Sequence, residues 1–105
     1  MLKSELQLKR LCNKFNLKYF NGTLPPFVIY YSPVDGAYAN CDQLEDGTLV
    51  IKISPSIGGW NDFVKLTCLH ELVHLKLWPD RSHGAKFDKE ILRLMTTYKE
   101  LRKLI

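Results

Sequence analysis

The pentapeptide His70-Glu71-Leu72-Val73-His74 constrains this chain more than any other stretch, because its chemistry works only on a helix. Residues four apart lie on one helix face. His70 and His74 then offer two imidazoles to a single metal ion, with Glu71 beside them. The flanks supply such a helix: Gly58-Gly59 and Pro79 punctuate the chain on either side and bound a helix over residues 61–78. At about 100° per residue, Phe63, Thr67 and Leu77 share a side with the two histidines, while Lys65 and Lys76 fall on the solvent side. Cys68 lies roughly 200° around from His70, out of reach of a shared metal, and reads as a small buried hydrophobe. Two unpaired histidines are costly to bury on a mostly apolar face, and a metal satisfies both. Zinc lowers the pKa of water towards ~7, and Glu71 is then placed to act as base and later to protonate the leaving amine. The plainer alternative is a helix that carries two histidines by coincidence.

Catalytic zinc commonly takes three protein ligands and keeps one position open. The candidates for the third are His83, Glu90, Asp80 and Asp88. His83 comes first, since it is the only other histidine and sits just past the break at Pro79, where the chain can turn back. Glu90 comes second, on the analogy of zinc peptidases whose third ligand is a glutamate on the following helix. That helix is expected over residues 85–105, with Phe87, Ile91, Leu94, Met95, Tyr98 and Leu101 as its apolar stripe. Its basic residues, among them Lys86, Lys89, Arg93 and Lys103, read as a solvated face.

The remainder of the chain predicts a small α+β domain. Residues 4–20 form a helix opened by a Ser4/Gln7 capping box, with Leu8, Leu11, Cys12, Phe15 and Tyr19 facing inward. Asn21-Gly22 and Pro25-Pro26 end it. Lys3, Arg10, Lys14 and Lys18 on its other side read first as a solvated face and second as a nucleic-acid contact. Residues 27–32, 37–41 and 48–54 read as strands, the last with Leu49, Ile51 and Ile53 on one face and a hairpin signal at Asp46-Gly47 before it. The expectation is a three-stranded, mainly antiparallel sheet that leans on its helices, with one edge serving as a shelf for an added peptide strand.

At 105 residues the chain predicts one domain, residues 1–105, with an ordinary globular composition of 46% apolar and 25% charged residues. Three cysteines without a CxxC pair indicate neither a disulfide framework nor a cysteine zinc knuckle. No apolar run is long enough to span a bilayer and the start lacks an apolar signal core, which predicts a reduced, cytoplasmic protein. The net charge of +4 permits nucleic-acid contact without requiring it. Oligomeric state is not legible.

Four stretches together resemble the SprT-like zinc metallopeptidase family. They are Tyr19-Phe20-Asn21-Gly22-Thr23-Leu24-Pro25, the strand pair from Tyr31-Ser32 to Ala39-Asn40-Cys41, the motif from His70 to His74, and His83-Gly84 with Phe87. The resemblance implies a zincin-like minimal fold. It implies His70, His74 and His83 as ligands of one zinc, Glu71 as catalytic base, and Phe87 as a packing aromatic. It further implies hydrolysis of protein or peptide substrates and, for some members, of proteins crosslinked to DNA. The segment between His74 and His83 is shorter than in long members, and no cysteine follows residue 68 to build the zinc ribbon of some relatives. The alternative reading is a non-catalytic, zinc-stabilised DNA- or protein-binding domain. Tyr38, Arg81 and Tyr98 are the conceivable oxyanion donors.

Overall fold

The first helix, α1 (Glu5–Phe20), begins where the capping box predicts. Ser4 Oγ accepts the Gln7 N–H at 3.1 Å, and Gln7 Oε1 accepts the Ser4 N–H at 2.7 Å. Two donors at the helix start are thereby satisfied. Asn21 in the left-handed region (φ 54°) ends the helix, and Leu8, Cys12, Phe15 and Tyr19 are buried as the spacing requires. The computed structural model describes residues 3–59 and 61–104, so Ile105, the expected last helical residue, lies outside the described residues.

Strands β1 (Phe27–Tyr31), β2 (Ala39–Gln43) and β3 (Leu49–Ile53) form one sheet in the order β1-β3-β2. The sheet is mixed rather than mainly antiparallel: β2 runs antiparallel to β3, and β1 runs parallel to it. The chain leaving β1 crosses to the far side of β3 before returning along it. The most apolar strand takes the centre, with Val50 and Ile51 both fully buried although they point to opposite faces. Alternation had marked only Leu49, Ile51 and Ile53 as inward. The β2–β3 hairpin closes with Gly47 N–H to Leu44 O at 2.9 Å and Leu44 N–H to Thr48 O at 2.8 Å. Gly47 takes φ 91°, which a side chain would resist.

Each sheet edge is capped at two groups, by different elements. Ser32 N–H bonds Ile53 O, so even-numbered residues of β1 face β3 and odd ones face outward. Two of the outward groups are taken from α1: Lys9 Nζ donates to Phe27 O, and Tyr31 N–H donates to Glu5 Oε2 at 2.8 Å, while both amide groups of Ile29 keep no protein partner among the described residues. On β2 the bonds at Tyr38 and Leu44 again turn even residues towards β3. The N–H and C=O groups of Ala39, Cys41 and Gln43 therefore point to the free side. There Asp42 takes the Gln43 N–H and Arg81 takes the Cys41 carbonyl. Both amide groups of Ala39 and the Cys41 N–H keep no protein partner among the described residues.

Helix α2 (Asn61–Leu77) lies in the core, burying Val64, Cys68, Leu69, Leu72, Val73 and Leu75. Cys12 and Cys68 are both fully buried, α1 and α2 each contributing one. The Cys41 thiol donates to the Glu71 carbonyl at 3.2 Å, tying β2 to α2. Among the described residues no helix is long and apolar enough to cross a membrane.

The expected helix over residues 85–105 divides into α3 (Ala85–Thr97) and a 3-10 segment, Lys99–Leu104. Tyr98 between them is extended (φ −118°, ψ 95°), its ring edge-on to Tyr19 at 4.7 Å. Arg102 folds back onto the carbonyls of Met95 and Thr96, which satisfies acceptors that the end of α3 leaves free. Lys76 and Arg93, expected in solvent, both pair with buried Glu90, and Arg93 also donates to Tyr19 O at 2.9 Å. Glu90 thus joins α2, α3 and the end of α1. We expect Glu90→Ala to lower the unfolding free energy by about 1–2 kcal/mol in urea titration. That is less than the loss of a fully buried pair, because both cations reach water once released.

Candidate metal centre

His70 and His74 stand one turn apart on α2, half-buried and buried respectively. Beyond Leu77 the chain turns at Asp80, whose Oδ1 accepts both the N–H and the hydroxyl of Ser82, at 3.0 and 2.7 Å. That turn sends His83 back over the motif helix. The Nε2 of His83 lies 3.1 Å from His70 Nε2 and 2.9 Å from His74 Nε2. The metal-facing nitrogens of all three lie within 4.8 Å of one another. Tetrahedral zinc with bonds near 2.0–2.1 Å needs its nitrogens about 3.3 Å apart, so the three imidazoles converge closely enough for one ion.

The chemistry of these donors fits as well. Burial, followed by the neighbouring imidazoles, holds His74 down at about 4, and burial followed by His83 lowers His70. Both are therefore neutral at pH 7, the state a metal requires. Phe87, in the first turns of α3, supports the cluster from below, with its ring 4.9, 4.8 and 5.0 Å from those of His70, His74 and His83.

Glu71 is 3% exposed, and burial raises its carboxyl to about 7. A divalent ion held by the adjacent histidines would draw it down again. The residue borders two clefts. One, of about 240 Å³, holds the three histidines together with Asn40, Trp78 and Arg81. The other, of about 260 Å³, is walled by Tyr38, Phe63, Leu66 and Thr67, with the Tyr38 and Phe63 rings edge-on at 5.0 Å. Asn40 Oδ1 is buried without a hydrogen-bond partner among the described residues.

The other candidates lie elsewhere. Glu90 is held by Lys76 and Arg93, Asp80 is spent on Ser82, and Asp88 is exposed. Tyr98 packs on Tyr19, away from the histidines, whereas Tyr38 borders the second cleft and Arg81 the first. Of the basic face on α1, Lys18 is paired with Glu100 at 3.0 Å. Sequence reasoning passed over Trp78 and Asn40 as lining residues. Trp78 had a signal in being the last aromatic before the break at Pro79, and Asn40 only in lying within a stretch that carries the family resemblance.

No protein-family model matches the chain, and no curated protein matches it in sequence. Among solved structures it is similar to the crystal structure of the metallopeptidase zymogen of Methanocaldococcus jannaschii jannalysin. The identity is 19%, the match covers 93% of this chain and 97% of that one, and the TM-score is 0.61. At that identity the likeness is one of fold.

His83→Ala should leave well under one zinc per chain after gel filtration, measured by elemental analysis, while Glu90→Ala retains its zinc. The reverse pattern would move the third ligand to Glu90.

Proposed function

We propose that this chain is a single-domain zinc metallopeptidase of the SprT-like kind, with one zinc held by His70, His74 and His83 and with Glu71 as general base. The observation that carries the reading is the convergence of the three Nε2 atoms beside a buried carboxyl, at the foot of a free strand edge. Zinc supplies Lewis acidity there, bringing water within reach of deprotonation at neutral pH.

The chain's own groups then have distinct tasks. Ala39 and Cys41 offer outward backbone groups, so an extended peptide is held as an added strand along β2. That strand is tied to α2 through the Cys41 thiol and the Glu71 carbonyl, which keeps the scissile bond close to the motif. Glu71 takes a proton from the attacking water and returns it to the departing amine. Burial by itself favours the protonated carboxyl and a bound divalent ion the carboxylate, the two states between which a general base alternates. The apolar wall of Tyr38 and Phe63 suits a substrate side chain beside the cut bond.

The test is Glu71→Gln, which keeps the side chain's shape but cannot accept the proton. Zinc content and thermal unfolding should match the wild type, while kcat/KM on an unfolded protein substrate falls at least ~10²-fold. Equal cleavage by the two proteins would remove Glu71 as base. If neither cleaves, zinc in this domain serves structure alone.

A further inference from the structure

Arg81 stands where the open edge of β2 meets the cleft of the three histidines. Its Nη2 donates to the outward carbonyl of Cys41 at 3.3 Å, and its guanidinium carbon lies 5.3 Å from the Trp78 ring centre. Asp42 Oδ1, at 3.8 Å, forms an exposed ion pair with it beyond hydrogen-bond distance, a weak partner for a substrate carboxylate to displace. A guanidinium has five N–H donors, so most of those on Arg81 face water, and its side chain is 60% exposed. Apart from the histidines it is the only basic residue lining that cleft among the described residues.

Its position sets a limit on any added strand. From Ala39, a peptide pairs with both amide groups of that residue and then with the Cys41 N–H. At the Cys41 carbonyl it meets the guanidinium in place of a free acceptor, and the ladder stops. Whatever the substrate carries at that point lies against a planar fork that has donors to spare. A carboxylate matches the fork in charge and in two-pronged geometry, which a neutral amide does not. The Trp78 ring limits how far the guanidinium can swing.

We propose that Arg81 is a specificity-determining residue that binds a substrate carboxylate at the end of the β2 edge. The proposal rests on the peptidase reading for what occupies that edge. The carboxylate comes from an acidic side chain within the peptide or from the peptide's own C-terminus, and matched peptides distinguish the two.

The experiment measures binding without turnover. Zinc-loaded Glu71→Gln protein is titrated, by fluorescence anisotropy, with peptide pairs that differ only by Glu against Gln at one position, or by a free against an amidated C-terminus. One kind of pair should split, with the carboxylate member binding about fivefold tighter at low salt, as a well-oriented but part-exposed ion pair allows. The ratio should shrink as salt is raised. It should collapse towards unity in Glu71→Gln/Arg81→Gln, and only partly in Glu71→Gln/Arg81→Lys, which keeps the charge without the fork. A merely structural Arg81 would weaken both members alike and leave their ratio unmoved. Should Arg81→Gln fail to fold, the Arg81→Lys comparison decides by the same ratio. Equal affinities in every pair, a preference that survives loss of Arg81, or no measurable binding would each overturn the proposal. Cleavage by the wild type without carboxylate preference leaves the peptidase reading standing and removes this one. Carboxylate-selective binding by a wild type that cuts nothing does the opposite.

Discussion

The contact of Phe87 with three imidazole rings holds the candidate site together. It joins a helix that local sequence determines to a loop that it does not. α2 places His70 and His74 by its own geometry, but His83 arrives from a turn held by Asp80 with Ser82, by the Asp80 N–H to Leu77 O and by Arg81 on the Cys41 carbonyl. A ring buried beneath all three imidazoles gives that loop an apolar surface to rest on, in a position that brings Nε2 towards Nε2. The remaining support for α3 comes from Glu90, which joins it to α2 and, through Arg93, to the end of α1. Ion pair and aromatic floor lie on the same short helix. Displacing Phe87 would therefore disturb the third imidazole first.

The sheet contributes an asymmetry. Both of its outer strands turn alternate amide groups away from β3, and an edge of that kind invites pairing with another chain. On β1 the side chains of Glu5 and Lys9 take two of those groups, at Tyr31 and Phe27, from a helix that packs along the strand. On β2 Arg81 and Asp42 likewise take one group each, and the free pair at Ala39 borders the histidine cleft. What sets β2 apart is its place beside the histidine cleft, which restricts where an extended peptide could meet the motif.

Burial of Glu71 has a thermodynamic side. A carboxyl pushed up to about 7 by burial is a group the fold would rather keep neutral. Cations beside it would favour the ionised form, and the two neighbouring histidines are themselves held neutral by burial. The same dry surroundings that make the imidazoles good metal ligands favour the protonated carboxyl until a bound cation offsets them. This local destabilisation is carried by the apolar residues of α2, six of which are buried around the motif.

The sequence by itself determined what short-range rules govern. The capping box set the start of α1, the left-handed Asn21 its end, and the breakers around residues 58 and 79 the extent of α2. Helical spacing put His70, Glu71 and His74 together, and it separated Cys68 from them. His83 and Phe87 stood out only by residue type and by resemblance, since no periodic rule spans the turn at Asp80. Longer-range choices belonged to the tertiary structure. Strand order was one, because a parallel β1–β3 pair and a central β3 depend on which faces are covered, and alternation within one strand cannot report that. The break at Tyr98 was another, imposed by its packing on Tyr19 and by Arg102 closing the helix end. The solvated look of Lys76 and Arg93 disappeared for the same reason: their partner, Glu90, is brought to them only when α2 and α3 pack. Local hydrogen bonds follow sequence order, whereas burial depends on elements that meet only in the folded chain.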